Sequence, residues 1–345
     1  MKIAIVNDMM MAAECLRRVL VEHPGYEVAW IAKNGAQAVQ MCLNDKPDLI
    51  LMDMVMPVMG GVEATRHIMA QCPCPILVVT SSLETNAALV FETMGAGALD
   101  AVKTPVLSSS HGETDVEEFL RKVDMLHRLS SYKVEEALIK KREFTSNGIR
   151  LGNPIIVIGA SSGGPNALEI VISSLPVSLA APVVIVQHID PNFSRELAKW
   201  LDKSCDIPVH LAESGQKPKV GHVYVADAKA HLVLDDSGIF RDQEVEDCHA
   251  YQPSVDVFFE SVASNWYGDV VAAMLTGMGR DGAKGMLALY HAGHYTVAQN
   301  EASCAVYGMP KAAIEAGGVT DIVPLADIAP ALIARLVNTS MRRAI

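Results

Sequence analysis

The 345-residue chain is 50% hydrophobic but only 5% aromatic and 20% charged, with a formal net charge of −12 at pH 7. That length exceeds one ordinary domain and predicts two, each able to bury a core; the acidic balance argues against nucleic acid as a partner, because phosphate contacts need a concentrated basic face. The longest apolar runs, Leu49 to Met52, Ile155 to Ile158 and Val183 to Val186, are strand-length and far short of a membrane span, so no membrane insertion is expected.

The opening MKIAIVND has no sustained apolar region and no small-residue cleavage site, so it reads as a first strand and places the chain in the cytoplasm. Short β-rich runs then alternate with helix-length segments. The strands are Ile3 to Val6, Val28 to Ile31, Leu49 to Met52, Ile76 to Val79 and Leu99 to Val102. The helices are Ala12 to Val21, Ala36 to Asn44, Val62 to Ala70, Thr85 to Gly95 and Asp115 to Leu129, the last with Val116, Phe119, Leu120, Val123 and Leu126 in helical period. Five βα units predict a parallel sheet and a first domain over 1–128. From 129 to 152 strand patterning gives way to a charged linker whose Lys140, Lys141 and Arg142 read most simply as solvated. Alternation resumes with Pro154 to Ile158, Pro182 to Gln187, Val209 to Leu211, Val223 to Val225, Val270 to Leu275 and Thr296 to Gln299, predicting a second doubly wound α/β domain over 153–345. Seven cysteines without a paired framework read as reduced core thiols, and Cys72-Pro-Cys74 has no second pair at zinc spacing.

In an open parallel sheet the binding crevice forms beyond the carboxyl ends of the strands. Four chemistry-bearing residues stand at such ends in the first domain: Asp8, Asp53, Thr80 and Lys103. Any one of them alone reads as a solvated strand end. Together, Asp8 and Asp53 are candidate Mg²⁺ ligands with the Val55 carbonyl as a third. Asp53 is a candidate nucleophile toward a phosphoryl group, and Thr80 and Lys103 are candidate readers of its oxygens. With Met56-Pro57-Val58-Met59-Gly60-Gly61 after Asp53, these residues closely resemble the receiver domain of two-component response regulators. The resemblance implies a flavodoxin-like fold with strand order 2-1-3-4-5, the order the general rule gives for CheY. It also implies phosphorylation of Asp53 with Mg²⁺ by a CheA-type histidine kinase. Two departures stand out: the family has two acidic residues where this chain has Asn7-Asp8, and Thr104 separates Lys103 from Pro105.

In the second domain, Pro154 to Ile158 runs into Gly159-Ala160-Ser161-Ser162-Gly163-Gly164-Pro165 and a helical segment from Asn166 to Ser173. Ser161 therefore sits at a strand-to-helix turn, where helix amides face a developing oxyanion. A glycine-rich turn also suits nucleotide phosphates, but G-x-G-x-x-G fails here because Ser161 takes the third position, and the next strand ends in Gln187-His188 with no ribose-binding acid. His188 is the candidate general base and Asp281, in Leu275-Thr276-Gly277-Met278-Gly279-Arg280-Asp281-Gly282-Ala283, the candidate orienting acid. A lone histidine after a strand is more often structural; His188 gains its weight from Ser161 and Asp281. The order Ser, His, Asp differs from the Ser, Asp, His order of α/β-hydrolases, so a different fold is expected.

These motifs resemble the CheB family of chemotaxis-receptor glutamate methylesterases, as does the whole series of receiver, linker and effector, with a weaker resemblance to its surface-sensing Wsp branch. Pro253-Ser254-Val255-Asp256, Gln299-Asn300-Glu301-Ala302-Ser303 and Tyr307-Gly308-Met309-Pro310-Lys311 extend the match. The resemblance implies a Rossmann-like three-layer catalytic domain with Ser161 as nucleophile, His188 as base, Asp281 as orienting acid and the Met278 amide as oxyanion donor. It further implies that phosphorylation releases a crevice covered by the receiver, and that methyl-accepting chemoreceptors are the substrate. Hydrolysis of their glutamyl γ-methyl esters, with glutamine deamidation, would need no cofactor of its own. Asp227 and Arg280 depart from the family pattern. The competing readings are a non-catalytic receptor-binding module or phosphate sink, and a small-molecule serine esterase.

Overall fold

The computed structural model describes residues 1–81, 86–105, 112–130, 152–244 and 252–343. The chain divides into two compact units, Met1–Ala137 and Leu138–Ile345. Most of the segment expected as a linker, with its basic cluster at 140–142, lies outside the described residues.

In the first unit β1 (Lys2–Val6), α1 (Met10–Glu22), β2 (Glu27–Ala32), α2 (Gly35–Asn44), β3 (Leu49–Met52), α3 (Gly61–Gln71), β4 (Ile76–Thr80), α4 (Ala87–Gly95), β5 (Asp100–Lys103) and α5 (Gly112–Ser130) alternate without exception. The strands pair in parallel in the order β2-β1-β3-β4-β5. Helices cover both faces of such a sheet, so interior strands need apolar residues at every position. β3 and β4 are buried throughout, and β1 is buried from Ile3 to Val6. Amphipathic α1 buries Ala13, Leu16, Val19 and Leu20, spaced three or four apart. These join Ile3, Ile5, Leu51, Leu77, Phe119 and Val123 in one core, each large side chain contributing about 1.5–3 kcal/mol through its removal from water. The Thr104–Pro105 peptide is trans, since the cis peptide bond among the described residues is Gln252–Pro253.

The second unit contains β6 (Gly152–Ala160), α6 (Gly164–Ser173), β7 (Val183–Gln187), α7 (Ser194–Ser204), β8 (Val209–Leu211), β9 (Val223–Val225), β10 (His231–Leu234), β11 (Phe240–Gln243), α8 (Val255–Asn265), β12 (Gly268–Met274), α9 (Ala283–His291), β13 (Tyr295–Gln299), α10 (Met309–Glu315), β14 (Asp321–Val323) and α11 (Leu325–Arg343). Seven strands form a parallel sheet in the order β14-β13-β12-β6-β7-β9-β8. The chain winds from β6 toward β7 and later returns to lay β12 on the other side of β6. The carboxyl ends of β6 and β12 therefore flank a topological switch point, where this architecture places ligands. The β10–β11 hairpin stands apart from that sheet as an antiparallel pair, closed by Asp235, whose Oδ1 accepts from Ser237 N and Ile239 N at 2.9 Å each.

Candidate active site

β6 ends at Ala160, and the chain reverses into α6 through Ser161, Ser162 and Gly163. Gly163 has φ +73°, a left-handed conformation that glycine adopts at no steric cost. Ser161 is buried to 6% exposure. Its N–H donates to Thr276 O at 3.0 Å, just beyond β12, so the turn is tied across the switch point. Its carbonyl accepts from Gly164 N at 2.7 Å and from Gln187 Nε2 at 2.8 Å.

Gln187, the last residue of β7, donates the same Nε2 to His188 O at 2.9 Å, while His188 N donates to Ala160 O at 3.0 Å. One buried amide thus joins the backbone of Ser161 to that of His188. Both partners are carbonyl oxygens, which fixes the amide with its NH₂ toward them. A side chain at Gly164 would overlap Gln187 Oε1, so the approach of this amide accounts for the glycine.

The His188 ring meets Asp281 through Nε2 and Oδ2 at 2.6 Å, with both side chains below a tenth exposed. Asp281 also lies at the N-terminus of α8. Its Oδ1 accepts from Ser254 Oγ at 2.9 Å and Asp256 N at 3.1 Å, and its Oδ2 from Val255 N at 2.7 Å. Burial pushes its carboxyl upward, but the hydrogen bond and charge of His188, with the Val255 and Asp256 amides, outweigh burial and bring it down to about 2. Asp281 is therefore a carboxylate across the working pH range.

The loop carrying Asp281 is pinned from below. Thr276 N donates to Gln299 Oε1 at 2.8 Å, and Gln299 Nε2 donates to Ser303 O at 2.7 Å. Gly277 O accepts from Gly308 N at 3.0 Å and Met309 N at 2.8 Å. In a trans peptide the carbonyl and the following N–H point oppositely, so these two bonds turn the Met278 N–H away from residues 308 and 309. A Cβ on Gly277 would press on Ser161, which sets this peptide beside the serine turn.

In the first unit, Asp53 N donates to Val6 O at 2.9 Å, which places the end of β3 against the end of β1. Burial raises the Asp53 carboxyl above the ordinary range; the Met54 and Val55 amides oppose this and the Asp8 charge adds to it. An oxygen-only donor set with two mutually repelling carboxylates fits a hard divalent cation, which would relieve that repulsion. Asn7 is buried and its Oδ1 accepts from Met9 N at 2.8 Å, so it closes the β1–α1 turn. Thr80 is buried with Oγ1 accepting from Asn86 Nδ2 at 2.9 Å, and Lys103 Nζ stands 3.6 Å from Asp115 Oδ2.

The family described as "CheB methylesterase" matches residues 156–332, and "Response regulator receiver domain" matches 3–110. "Protein-glutamate methylesterase/protein-glutamine glutaminase 2" of Pseudomonas syringae pv. syringae is 47% identical over 335 residues, covering 96% of this chain and 98% of that one. The chain belongs to the CheB methylesterase family. The "Protein-glutamate methylesterase/protein-glutamine glutaminase 1" of Bordetella avium is likewise 47% identical over 332 residues, with 96% of each chain covered. The crystal structure of the Thermotoga maritima CheB methylesterase catalytic domain superposes with TM-score 0.51 at 37% identity, covering 53% of this chain and 98% of that one.

In this chain Ser161, His188, Asp281 and Met278 are candidates legible from the sequence, whereas Gln187 and Ser254 are not. Gln187 stood beside His188 in the motif, yet nothing in the sequence shows that its amide reaches back to the serine. Gln299-Asn300-Glu301-Ala302-Ser303 was visible as a motif, and its work is now plain: Gln299 holds Thr276, and Asn300 Oδ1 accepts from Ser303 N at 3.1 Å and Ser303 Oγ at 2.7 Å.

Proposed function

We propose that this chain hydrolyses glutamyl γ-methyl esters on methyl-accepting chemoreceptors, releasing methanol, and deamidates glutamine at the same site, under control of phosphorylation at Asp53. The observation that carries the catalytic reading is the 2.6 Å His188–Asp281 bond, set at the N-terminus of α8 and across the switch point from Ser161. Nε2 is committed to Asp281, so Nδ1 is the ring nitrogen that takes the Ser161 proton. Ser161 Oγ attacks the ester carbonyl carbon, and the developing oxyanion is met by the Met278 N–H and the first amides of α6. His188 then returns the proton to the departing methoxide, which leaves as methanol. Water, deprotonated by the same imidazole, attacks the acyl-serine, frees glutamate and restores the hydroxyl. With a glutamine substrate the leaving group is ammonia.

In the receiver unit, Asp8, Asp53 and the Val55 carbonyl would hold Mg²⁺, which supplies charge neutralisation at the phosphoryl group. Asp53 accepts that group from a CheA-type histidine kinase, and Thr80 and Lys103 contact its oxygens. Lys103 is half exposed and its 3.6 Å pair with the largely buried Asp115 is a long contact, for which a dianionic phosphoryl group would compete. The boundaries that suit this division are a receiver over 1–128, a linker over 129–152 and a catalytic domain over 153–345. The place of action is the cytoplasm. Among the described residues no helix is long and apolar enough to cross a membrane.

The test is methanol release from methylated receptor membranes with and without an acyl-phosphate donor and Mg²⁺. The donor should raise the rate in wild type and leave Asp53→Asn unchanged. Equal turnover of simple esters and receptor would favour a small-molecule esterase instead, and an identical donor response in Asp53→Asn would remove Asp53 from the scheme.

A further inference from the structure

Pro253-Ser254-Val255-Asp256 stood out in the sequence with no chemical task, and the reaction scheme above assigns it none. Ser254 is 3% exposed and caps α8, its Oγ accepting from Val257 N at 3.3 Å. The same hydroxyl donates to Asp281 Oδ1 at 2.9 Å, and the Ser254 N–H donates to Nδ1 of fully buried His231 at 3.0 Å. A hydroxyl has one proton, and here it goes to the carboxylate that grips the catalytic imidazole.

Each oxygen of Asp281 has two donors: Oδ2 takes Val255 N and His188 Nε2, Oδ1 takes Asp256 N and Ser254 Oγ. The Ser254 proton is the side-chain contact on Oδ1. Without it Oδ1 keeps the 3.1 Å bond from Asp256 N and Oδ2 the 2.7 Å bond from Val255 N, and the carboxylate, with one donor fewer, gains room to turn about its terminal torsion, which is broad by nature. Such rotation swings Oδ2 away from His188.

We propose that Ser254 is a positioning residue for the triad, its hydroxyl proton holding the Asp281 carboxylate in the rotation that presents Oδ2 to His188 Nε2. This inference rests on the esterase reading of Ser161, His188 and Asp281. Ser254 acts through Asp281 and not on the substrate, so its loss lowers kcat and leaves KM nearly unchanged.

A helix cap needs only an acceptor or a permissive backbone, whereas the positioning role needs a proton donor, and this difference separates the two. Glycine at an N-cap costs helix stability little, so Ser254→Gly should stay folded and melt about 3–8 °C below wild type, chiefly from the lost bond to Asp281. It should nevertheless lose about 10- to 100-fold in kcat on methylated receptor membranes, with KM held within about twofold. Ser254→Thr, which keeps the hydroxyl, should stay within about threefold of wild type. Ser254→Ala removes the proton without adding a charge, and it should show the same turnover loss, so the test stands even if the glycine variant unfolds. Wild-type kcat in either the glycine or the alanine variant overturns the positioning role while leaving the esterase reading intact. A wild-type protein that releases no methanol removes the reading itself and the inference with it.

Discussion

Asp256 and Asp281 exchange helix ends. Asp256, in the first turn of α8, accepts from Gly285 N in the first turn of α9 at 2.8 Å, while Asp281, just ahead of α9, accepts from the first amides of α8. Each helix N-terminus therefore meets a carboxylate supplied by the other, and the two helices are locked in register under the triad. The two acids titrate in opposite directions. Asp281 is down at about 2, whereas Asp256 is raised to about 6, chiefly by burial, with the Gly285 amide opposing and the Asp281 and Glu260 charges adding.

The raised acid gives a stability prediction with a definite sign. Asp256 titrates higher in the fold than the ordinary 3.8 of a solvated aspartate, so its stabilising share is complete below about pH 4 and lost as pH rises through 6. Asn at 256 keeps an acceptor for Gly285 N and cannot ionise. Asp256→Asn should match wild type at pH 4 and exceed it at pH 8 by about 1 kcal/mol, after discounting for solvent screening of a partly exposed group. Urea unfolding at the two pH values measures this, and equal stability at pH 8 would contradict it.

Gln187 joins Ser161 to His188 through two bonds from one nitrogen. Gln187→Leu keeps the volume and takes one donor from each of the two carbonyls, Ser161 O retaining Gly164 N, so the second unit should lose about 1–3 kcal/mol and turnover should fall at least about tenfold. Gly164→Ala should act in the same direction, because its Cβ displaces the Gln187 amide. Urea unfolding paired with methanol release checks both; a Gln187→Leu protein with full turnover would show the clamp to be dispensable.

The fold was legible because its parallel strands are buried on both faces, and continuous apolar runs such as Leu49–Met52 and Val183–Val186 have few other uses. Strand neighbours were harder. β8 precedes β9 in the chain but lies outside it in the sheet, and three residues in each carry no pattern that fixes their order. The β10–β11 hairpin, with four residues in each strand, and the three-residue β14 were not named, although Asp235-Asp236-Ser237-Gly238 was a turn signal for the hairpin. At the candidate site the residues named from sequence are those whose chemistry announces itself: a serine between glycines, a histidine at a strand end, an aspartate in a glycine loop. Gln187, Ser254 and Gln299 were not named for the bonds they make, since amides and hydroxyls are common and only the folded chain shows which carbonyl or carboxylate each one meets.

Asn7 stands where receivers carry an acid, and its side chain already serves the β1–α1 turn through Met9 N. Asn7→Asp keeps that acceptor and adds a third carboxylate near Asp8 and Asp53. Mg²⁺ affinity of the unphosphorylated protein should rise about tenfold, since metal affinity in oxygen sites follows ligand charge. Calorimetric titration with Mg²⁺ reads this directly. An unchanged or weakened affinity would mean that position 7 does not face the ion.

The proposed joining of Ser161, His188 and Asp281 in one hydrolytic site is read in methanol release from methylated receptor membranes by Ser161→Ala beside wild type. Turnover should fall by up to about a millionfold, leaving no release above background, with the variant folded and melting as wild type does. Release at a rate near that of wild type would contradict it.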